Sequence, residues 1–242
     1  MLEQLTPKAI LFDLYGTLLD IGTDEHDAYP WEVVAKFLRY RGSDAGGADL
    51  QRDYFDWVTN ALKNSPHQPN PDVDVVDAFA EVIEKHGVAP TRELAYFVAQ
   101  LFRSLTIRHF ALFPEALEVL EALSRRFRLA LVSDSQEPYV FSELRMAGLK
   151  RFFPVVVCSA SAGYRKPDTR IFADALREMK LTESEVVYVG DSTERDVVGA
   201  SNAGIQAIWI RRHGAHGHTE DLPDFIELPD LRGLLAIGTS AR

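Results

Sequence analysis

Three acidic residues and one lysine in this sequence have the chemistry needed to handle an anionic group through a cation. Asp13 directly follows an apolar run, Lys166 precedes a proline, and Asp191 and Asp196 lie close together after another apolar run. A carboxylate fixed at the end of a strand can act as a nucleophile or as a cation ligand. Mg²⁺ takes oxygen ligands, and a lysine ammonium is a point charge that suits phosphate. These residue types predict an acidic crevice that a cation fills.

The apolar runs before these residues predict the strands that position them. Short continuous apolar runs are typical of strands buried on both faces of a parallel sheet, and we expect them at 9–12, 128–132, 155–158, 186–189 and 207–210. Helical patterns separate the later strands, at 115–125, 137–147, 167–180 and 194–203. The alternation predicts an α/β fold with a parallel sheet and helices on both faces. Because the carboxyl ends of parallel strands meet at one edge, we expect the polar residues after them to share a crevice.

A helical insert interrupts this α/β pattern after the first strand. Four stripes of apolar residues at helical spacing occur at 31–38, 50–62, 75–83 and 94–105. Four consecutive helices predict a small bundle that forms a separate subdomain. We assign 21–108 to the insert and 1–20 with 109–242 to the α/β core. Trp31, Tyr54 and Trp57 are expected in the core of the insert, not at a ligand.

Composition excludes several classes of protein. The chain has 242 residues, 46% of them hydrophobic, and a formal charge of −10, which argues against non-specific nucleic-acid binding. The single cysteine, Cys158, excludes an internal disulfide and is expected to be buried. No signal-peptide pattern and no apolar run of membrane-spanning length is found, so we expect a cytoplasmic protein without a membrane partner. The sequence leaves both a monomer and a homodimer open. An exposed loop is predicted for His213, His216 and His218.

Four motifs resemble those of the haloacid dehalogenase (HAD) superfamily, in the same order: AILFDLYGTLLD, LVSDS, GYRKPD and VVYVGDSTERDVVGASNAG. The helical insert after the first motif is similar to the cap of that superfamily. The resemblance implies a Rossmann-like core under a mobile helical cap. It also implies hydrolysis of a small anionic substrate through an aspartyl-enzyme intermediate.

The resemblance also implies a role for each motif residue. Asp13 would be the nucleophile, Ser133 would hydrogen-bond the transferring group, and Lys166 would neutralise charge on both. Asp191 would ligate Mg²⁺, and Asp196 would hold the site as a ligand through water or as an anchor. Tyr15 completes this set as a predicted catalytic position whose main-chain carbonyl would also ligate the metal. Gly16, Thr17 and Asp134 are predicted beside the substrate.

Tyr15 departs from the pattern of the family's phosphatases. They usually carry a second aspartate at this position, which protonates the leaving oxygen and then activates water. A phenol with a reference pKa of about 10 is a poor general base near neutrality. A tyrosine here resembles the 2-haloacid dehalogenases, in which halide leaves carbon without a proton and without a metal. Asp191 and Asp134 argue the other way, because those dehalogenases usually have uncharged residues at both positions.

Three functions therefore stay open. We favour a Mg²⁺-dependent phosphomonoester hydrolase, with any missing acid supplied by His26 or by Tyr29. The second is a 2-haloacid dehalogenase, for which Arg39 or Arg41 would be a candidate for the substrate carboxylate. The third is a non-catalytic ligand-binding protein on the same fold.

Overall fold

The computed structural model describes residues 2–212 and 222–239. Its strands are β1 (Ala9–Phe12), β2 (Leu19–Thr23), β3 (Ile107–Leu112), β4 (Arg128–Ser133), β5 (Val155–Cys158), β6 (Val186–Gly190), β7 (Gln206–Ile210) and β8 (Phe225–Leu228). Six of them form a parallel sheet in the order β5-β4-β1-β6-β7-β8, and β2 pairs with β3 in a separate antiparallel ribbon. The predicted parallel α/β sheet is confirmed.

The central strand β1 explains why distant motifs converge. β1 lies between β4 and β6, and its last residue, Phe12, is opposite Leu131 on one side and Val189 on the other. All four residues of β1 are fully buried, because both faces of the sheet are covered. Parallel strands in this register end together. The residues that follow β1, β4 and β6 therefore emerge at one edge of the sheet.

Nine helices cover the sheet and form the insert within the described residues. They are α1 (Ala28–Tyr40), α2 (Gly47–Asn64), α3 (Val75–Lys85), α4 (Arg92–Thr106), α5 (Ala116–Leu123), α6 (Glu137–Met146), α7 (Ser159–Ala162), α8 (Thr169–Met179) and α9 (Val198–Asn202). A π-helical turn, Thr193–Val197, leads into α9. Short 3₁₀ helices occur at Leu2–Gln4, Lys150–Phe152, Glu183–Glu185 and Leu231–Ala236.

The insert has a hydrophobic core of its own. Trp31 on α1 packs within 4.3 Å of Phe102 on α4, measured between ring centroids, and within 5.2 Å of Tyr54 on α2. Trp57 is partly buried against the same cluster. These three aromatic side chains therefore serve the packing of the helices, as the helical spacing predicted. Asp74 and Thr91 accept hydrogen bonds from the first backbone N–H groups of α3 and α4, which explains where those helices begin.

The ribbon of β2 and β3 was not predicted. Leu19 pairs with Leu112 and Ile21 with Phe110, so the ribbon connects the insert to the sheet. Its strands are half-exposed and irregular at Gly22–Thr23, which hides the alternating pattern that marks a strand. Strand β8 and the four-residue helix α7 were also missed. The ribbon crosses both predicted domain limits, and those limits stay a prediction.

Two smaller features bear on the predictions from composition. Cys158 is buried, and burial raises the pKa of its thiol to about 11. Among the helices that the structure describes, each is too short or too polar to cross a bilayer.

Candidate active site

Lys166 lies at the centre of a buried polar cluster beneath the carboxyl edge of the sheet. Its Nζ donates to Asp13 Oδ1 at 2.7 Å, to Asp196 Oδ1 at 2.6 Å and to the Tyr188 hydroxyl at 2.9 Å. Only 1% of the lysine side chain is exposed. The ammonium has three N–H donors, and these contacts use all three. The lysine is thus fixed in position beside Asp13.

The loop after β1 brings Asp191 against the same cluster. Thr17 Oγ1 donates to Asp191 Oδ1 at 3.1 Å and lies 3.4 Å from Asp13 Oδ2. Gly16 has a φ of +83°, and a Cβ at this position would lie 2.3 Å from Asp191 Oδ2. A side chain at position 16 would therefore push the Asp191 carboxylate away. Glycine here allows both the turn and the close approach of the carboxylate.

Asp196 anchors the cluster from the π-helical turn. Its Oδ1 accepts from Lys166 and from the Tyr188 hydroxyl, and its Oδ2 accepts from the Ser192 N–H at 2.9 Å. A Cβ on Gly190 would lie 2.3 Å from Asp196 Cγ, so this glycine also makes room for a carboxylate. Both carboxylate oxygens of Asp196 are thus already bound by the protein. Short π-helical turns are frequent at functional sites.

Electrostatics in the cluster favour a further positive charge. Burial raises the pKa of Asp13 to about 7; the Lys166 ammonium opposes this shift, and the charges of Asp196 and Asp191 add to it. Burial, followed by the charge of Asp196, also raises the pKa of Asp191. Burial alone would lower the pKa of Lys166, but the surrounding acids, Asp13 first, hold it above its usual value. Lys166 therefore faces more negative charge than a single ammonium can neutralise.

The donor set fits Mg²⁺. Asp13, Asp191 and Asp196 each offer a carboxylate oxygen, and these atoms lie within 4.8 Å of one another. They are hard oxygen ligands, as Mg²⁺ requires. Because Asp196 is committed to Lys166, Tyr188 and Ser192, the geometry favours Asp13 and Asp191 as direct ligands and Asp196 as their support.

Ser133 and Asp134 follow β4 at the same edge. The Ser133 hydroxyl is buried, and neither it nor Asp134 Oδ2 has a hydrogen-bond partner among the residues that the structure describes. Asp134 Oδ1 accepts from the Lys166 main-chain N–H at 2.9 Å, which ties the third motif to the second. Burial raises the pKa of Asp134. The serine hydroxyl therefore has a free donor for a group bound in the crevice.

A cavity of about 420 Å³ opens above this edge, between the sheet and the inserted helices. Its walls include Tyr15, Asp134 and Arg195 from the core and Arg103 from α4. A cavity of this volume is within the range of small-molecule sites. Gly16 and Thr17 do not line it; they follow Tyr15 in the loop that carries Asp13.

The side chain of Tyr15 points to α6. Its hydroxyl donates to Glu143 Oε2 at 2.5 Å, and burial, followed by the charge of Glu143, raises the pKa of the phenol well above its usual value. Glu143 Oε1 in turn accepts from Arg103 Nε at 2.7 Å. The tyrosine is thus held as a neutral hydrogen-bond donor, which makes it unsuited to remove a proton from water.

The other suggested acids lie elsewhere. His26 is exposed and stacks on Phe55, and 61% of Tyr29 is exposed. Neither lines the cavity, and neither do Arg39 and Arg41.

His213, His216 and His218 lie outside the described residues. The predicted exposed loop at these histidines is therefore not tested.

Three residues of this region were missed at the level of sequence. Tyr188 is the one polar side chain inside the apolar run of β6, and that position was the available signal. Arg103 is the basic residue of the last turn of α4. Glu143 is a buried acid inside α6, with no motif around it.

A family model for "haloacid dehalogenase-like hydrolase" matches residues 7–204. The chain belongs to this family. It is therefore a hydrolase of the HAD superfamily, and the resemblance of the four motifs is confirmed.

The proteins similar to this chain include both phosphatases and dehalogenases. A phosphoserine phosphatase of Thermus thermophilus is 37% identical over 157 residues, which cover 64% of this chain and 61% of that protein. A glyceraldehyde 3-phosphate phosphatase of Methanopyrus kandleri is 27% identical over 95% of this chain and 96% of its own length. A solved 2-haloacid dehalogenase of Pseudomonas syringae superposes with a TM-score of 0.66 at 25% identity, covering 95% of this chain and 98% of its own.

Proposed function

We propose that the protein is a Mg²⁺-dependent phosphomonoester hydrolase that acts on a small metabolite through an aspartyl-enzyme intermediate. The observation that carries this proposal is the acidic cluster around Lys166, in which Asp13, Asp191 and Asp196 bring three carboxylates together. A metal-free dehalogenase gains nothing from Asp191 beside an anionic substrate. The phosphatase names of the Thermus and Methanopyrus relatives support the same choice.

In this proposal Asp13 attacks phosphorus and the bond from phosphorus to the leaving oxygen breaks. Water then hydrolyses the phosphoaspartate and releases phosphate. Lys166 holds the Asp13 carboxylate in line and offsets charge on the phosphoryl group, and Ser133 donates its free hydroxyl to a phosphoryl oxygen. When bound by Asp13, Asp191 and the Tyr15 carbonyl, Mg²⁺ would supply the charge that lets a phosphate dianion approach a carboxylate.

Tyr15 leads to a specific expectation about substrates. Since the Tyr15 hydroxyl donates its hydrogen bond to Glu143, this tyrosine is poorly placed to protonate a leaving alkoxide. General acid catalysis contributes roughly 10²–10⁴-fold. We therefore propose that esters with acidic leaving groups, such as aryl phosphates, turn over faster than alkyl esters of similar size.

The dehalogenase remains the second candidate, because Tyr15 is the residue that the dehalogenase branch carries and the Pseudomonas dehalogenase shares the fold. The two candidates require opposite behaviour toward metal. Hydrolysis of p-nitrophenyl phosphate that needs Mg²⁺ and stops with EDTA would support the phosphatase. Chloride release from 2-chloropropionate with EDTA present would instead establish the dehalogenase.

Asp13→Asn should abolish whichever turnover is found, while Asp56→Asn on the exposed face of α2 serves as the matched control. Full phosphatase activity in the Asp13→Asn protein would refute the aspartyl-enzyme step.

A further inference from the structure

Arg103 has no part in the proposed chemistry, yet it is among the most tightly held cations on the cavity wall. Only 12% of its side chain is exposed. Its guanidinium carbon lies 4.9 Å from the ring centroid of Tyr139 and 5.8 Å from that of Tyr15. Its Nε donates to Glu143 Oε1 at 2.7 Å, and Glu143 also accepts from Tyr15. Two aromatic rings and a buried carboxylate therefore fix the plane of this guanidinium.

In the part of the chain that the structure describes, the terminal nitrogens of Arg103 donate no hydrogen bond. Their charged contact there is an ion pair between Nη1 and Glu25 Oε1 at 3.9 Å, which is longer than a hydrogen bond. The residue lines the 420 Å³ cavity, whose wall also includes Tyr15 and Asp134 at the carboxyl edge of the sheet. An arginine that served only to join α4 to α6 would not need a free pair of donors at the cavity. A rigid planar pair of N–H groups matches a carboxylate in two parallel hydrogen bonds.

The other arginines of the cavity wall are less suited to this task. Half of the Arg195 side chain is exposed, 51%, and its Nη1 lies 4.0 Å from Asp134. Arg165 is exposed. Glu25 and Asp72 on the same wall repel additional negative charge. The cavity thus offers one preorganised anion receptor, and its acidic neighbours favour a small anion over a polyanion.

We propose that Arg103 binds a carboxylate of the substrate and that Tyr15 and Glu143 are the positioning residues that hold it. The substrate class is a phosphomonoester that carries one carboxylate. This inference rests on the proposed phosphatase function. It also gives a reason for a tyrosine at position 15: its hydroxyl orients the specificity residue through Glu143.

The experiment compares esters that differ mainly by a carboxylate. O-phosphoserine is paired with O-phosphoethanolamine, and 3-phosphoglycerate with glycerol 3-phosphate. In at least one pair the wild-type protein should show a kcat/KM at least about 10-fold higher for the acid, the range expected for a charge-assisted bidentate contact. Arg103→Met should lower that preference by about 10–100-fold, chiefly through KM of the acid. Arg103→Lys, which keeps the charge but loses the planar pair of N–H donors, should restore only part of the preference.

The positioning residues are tested in the same way. Tyr15→Phe and Glu143→Gln should each lower the preference for the ester with the carboxylate, while kcat/KM for the ester without a carboxylate changes less. Arg125→Met is the matched control, because Arg125 is exposed and precedes the opposite, amino end of β4. Thermal melting of each variant separates a binding defect from a folding defect.

Two outcomes overturn the inference. One is a wild-type protein that prefers neither carboxylate-bearing ester; the other is an Arg103→Met protein in which kcat/KM falls equally for both esters of a pair. Failure of the proposed function looks different. If no ester is hydrolysed, including p-nitrophenyl phosphate, calorimetric binding of the same pairs decides. If the wild type binds the carboxylate-bearing ester more tightly and Arg103→Met loses that difference, the carboxylate site is supported without catalysis. Equal binding of the esters with and without a carboxylate would refute it.

Discussion

Replacing Lys166 by methionine tests the electrostatic arrangement on which the candidate site depends. The substitution removes the ammonium that contacts Asp13 and Asp196 and keeps an unbranched side chain of similar length. Both acids are almost fully buried, with 5% and 2% of their surface exposed. Without the lysine, the group of carboxylates that these two acids form with Asp191 would lose the buried ammonium that contacts two of them.

The expected loss of stability is large. Removing one partner of a buried ion pair costs about 3–5 kcal/mol, because the remaining charge is left without compensation. For a protein of this size, 1 kcal/mol corresponds to about 2–4 °C in melting temperature, so we expect a drop of about 6–20 °C. Lys63→Met, at an exposed position on α2, should stay within about 0.5 kcal/mol of the wild type.

The loss should depend on pH and on metal, which a simple packing defect would not. In the variant the folded-state pKa values of Asp13 and Asp191, already raised by burial, rise further above the value of 3.8 that Asp has without perturbation. A group with a raised folded pKa binds its proton more tightly in the folded state, so its contribution to stability is lost as pH rises. We therefore expect the largest loss at pH 8 and a smaller one at pH 5.5. Mg²⁺ should restore part of it, because it brings positive charge to the carboxylates.

Urea denaturation of the wild type, Lys166→Met and Lys63→Met, at both pH values and with Mg²⁺ or EDTA, measures these effects. The reasoning is refuted if the Lys166→Met protein unfolds at pH 8 with a free energy within about 1 kcal/mol of the wild type. An equal loss at both pH values would show instead that the lysine acts through packing and not through charge.

Two further predictions concern the loop and the metal. Gly16→Ala should lose about 2–4 kcal/mol of stability and weaken Mg²⁺ binding, since the new Cβ meets Asp191. The control is Gly87→Ala, where φ is +79° and the space around the new Cβ is open. It should lose only about 1–2 kcal/mol and leave Mg²⁺ binding unchanged, as measured by urea denaturation and calorimetric titration. Because the pKa of Asp13 is raised to about 7, the apparent affinity for Mg²⁺ should increase between pH 5.5 and pH 8 and level off above it, and a flat calorimetric profile would contradict direct ligation by Asp13.

The link between Tyr15 and Arg103 also bears on the choice between phosphatase and dehalogenase. A tyrosine two residues after the nucleophile resembles the dehalogenase motif, but in this fold its hydroxyl contacts Glu143 and not the reacting group. In the carboxylate site that we propose, the same residue type serves specificity in place of chemistry. The metal requirement of turnover is for this reason a better discriminator than the identity of residue 15.

Much of the sheet and of the polar cluster was predictable from local pattern. β1 and β6 are short continuous apolar runs, and such runs form strands buried on both faces wherever they occur in an α/β chain. Asp13 directly follows the run of β1 and Gly190 ends that of β6. The parallel pairing of these two strands therefore brings the residues that follow them close together. The half-exposed ribbon of β2 and β3 was not predictable, because its pattern is weak over each short segment.

The sequence by itself determined which residues reach the carboxyl edge of the sheet, because the apolar runs that form the strands and the polar residues that follow them are local patterns in the chain. Only the tertiary structure decided where Tyr15 points, which acid accepts the hydrogen bond of its hydroxyl, and that Arg103 lies on the cavity wall beside both residues. Positions 15, 103 and 143 belong to separate elements and meet only when α4 packs on α6. No spacing within one segment encodes a contact of that kind, since the side chains are brought together by the packing of whole helices.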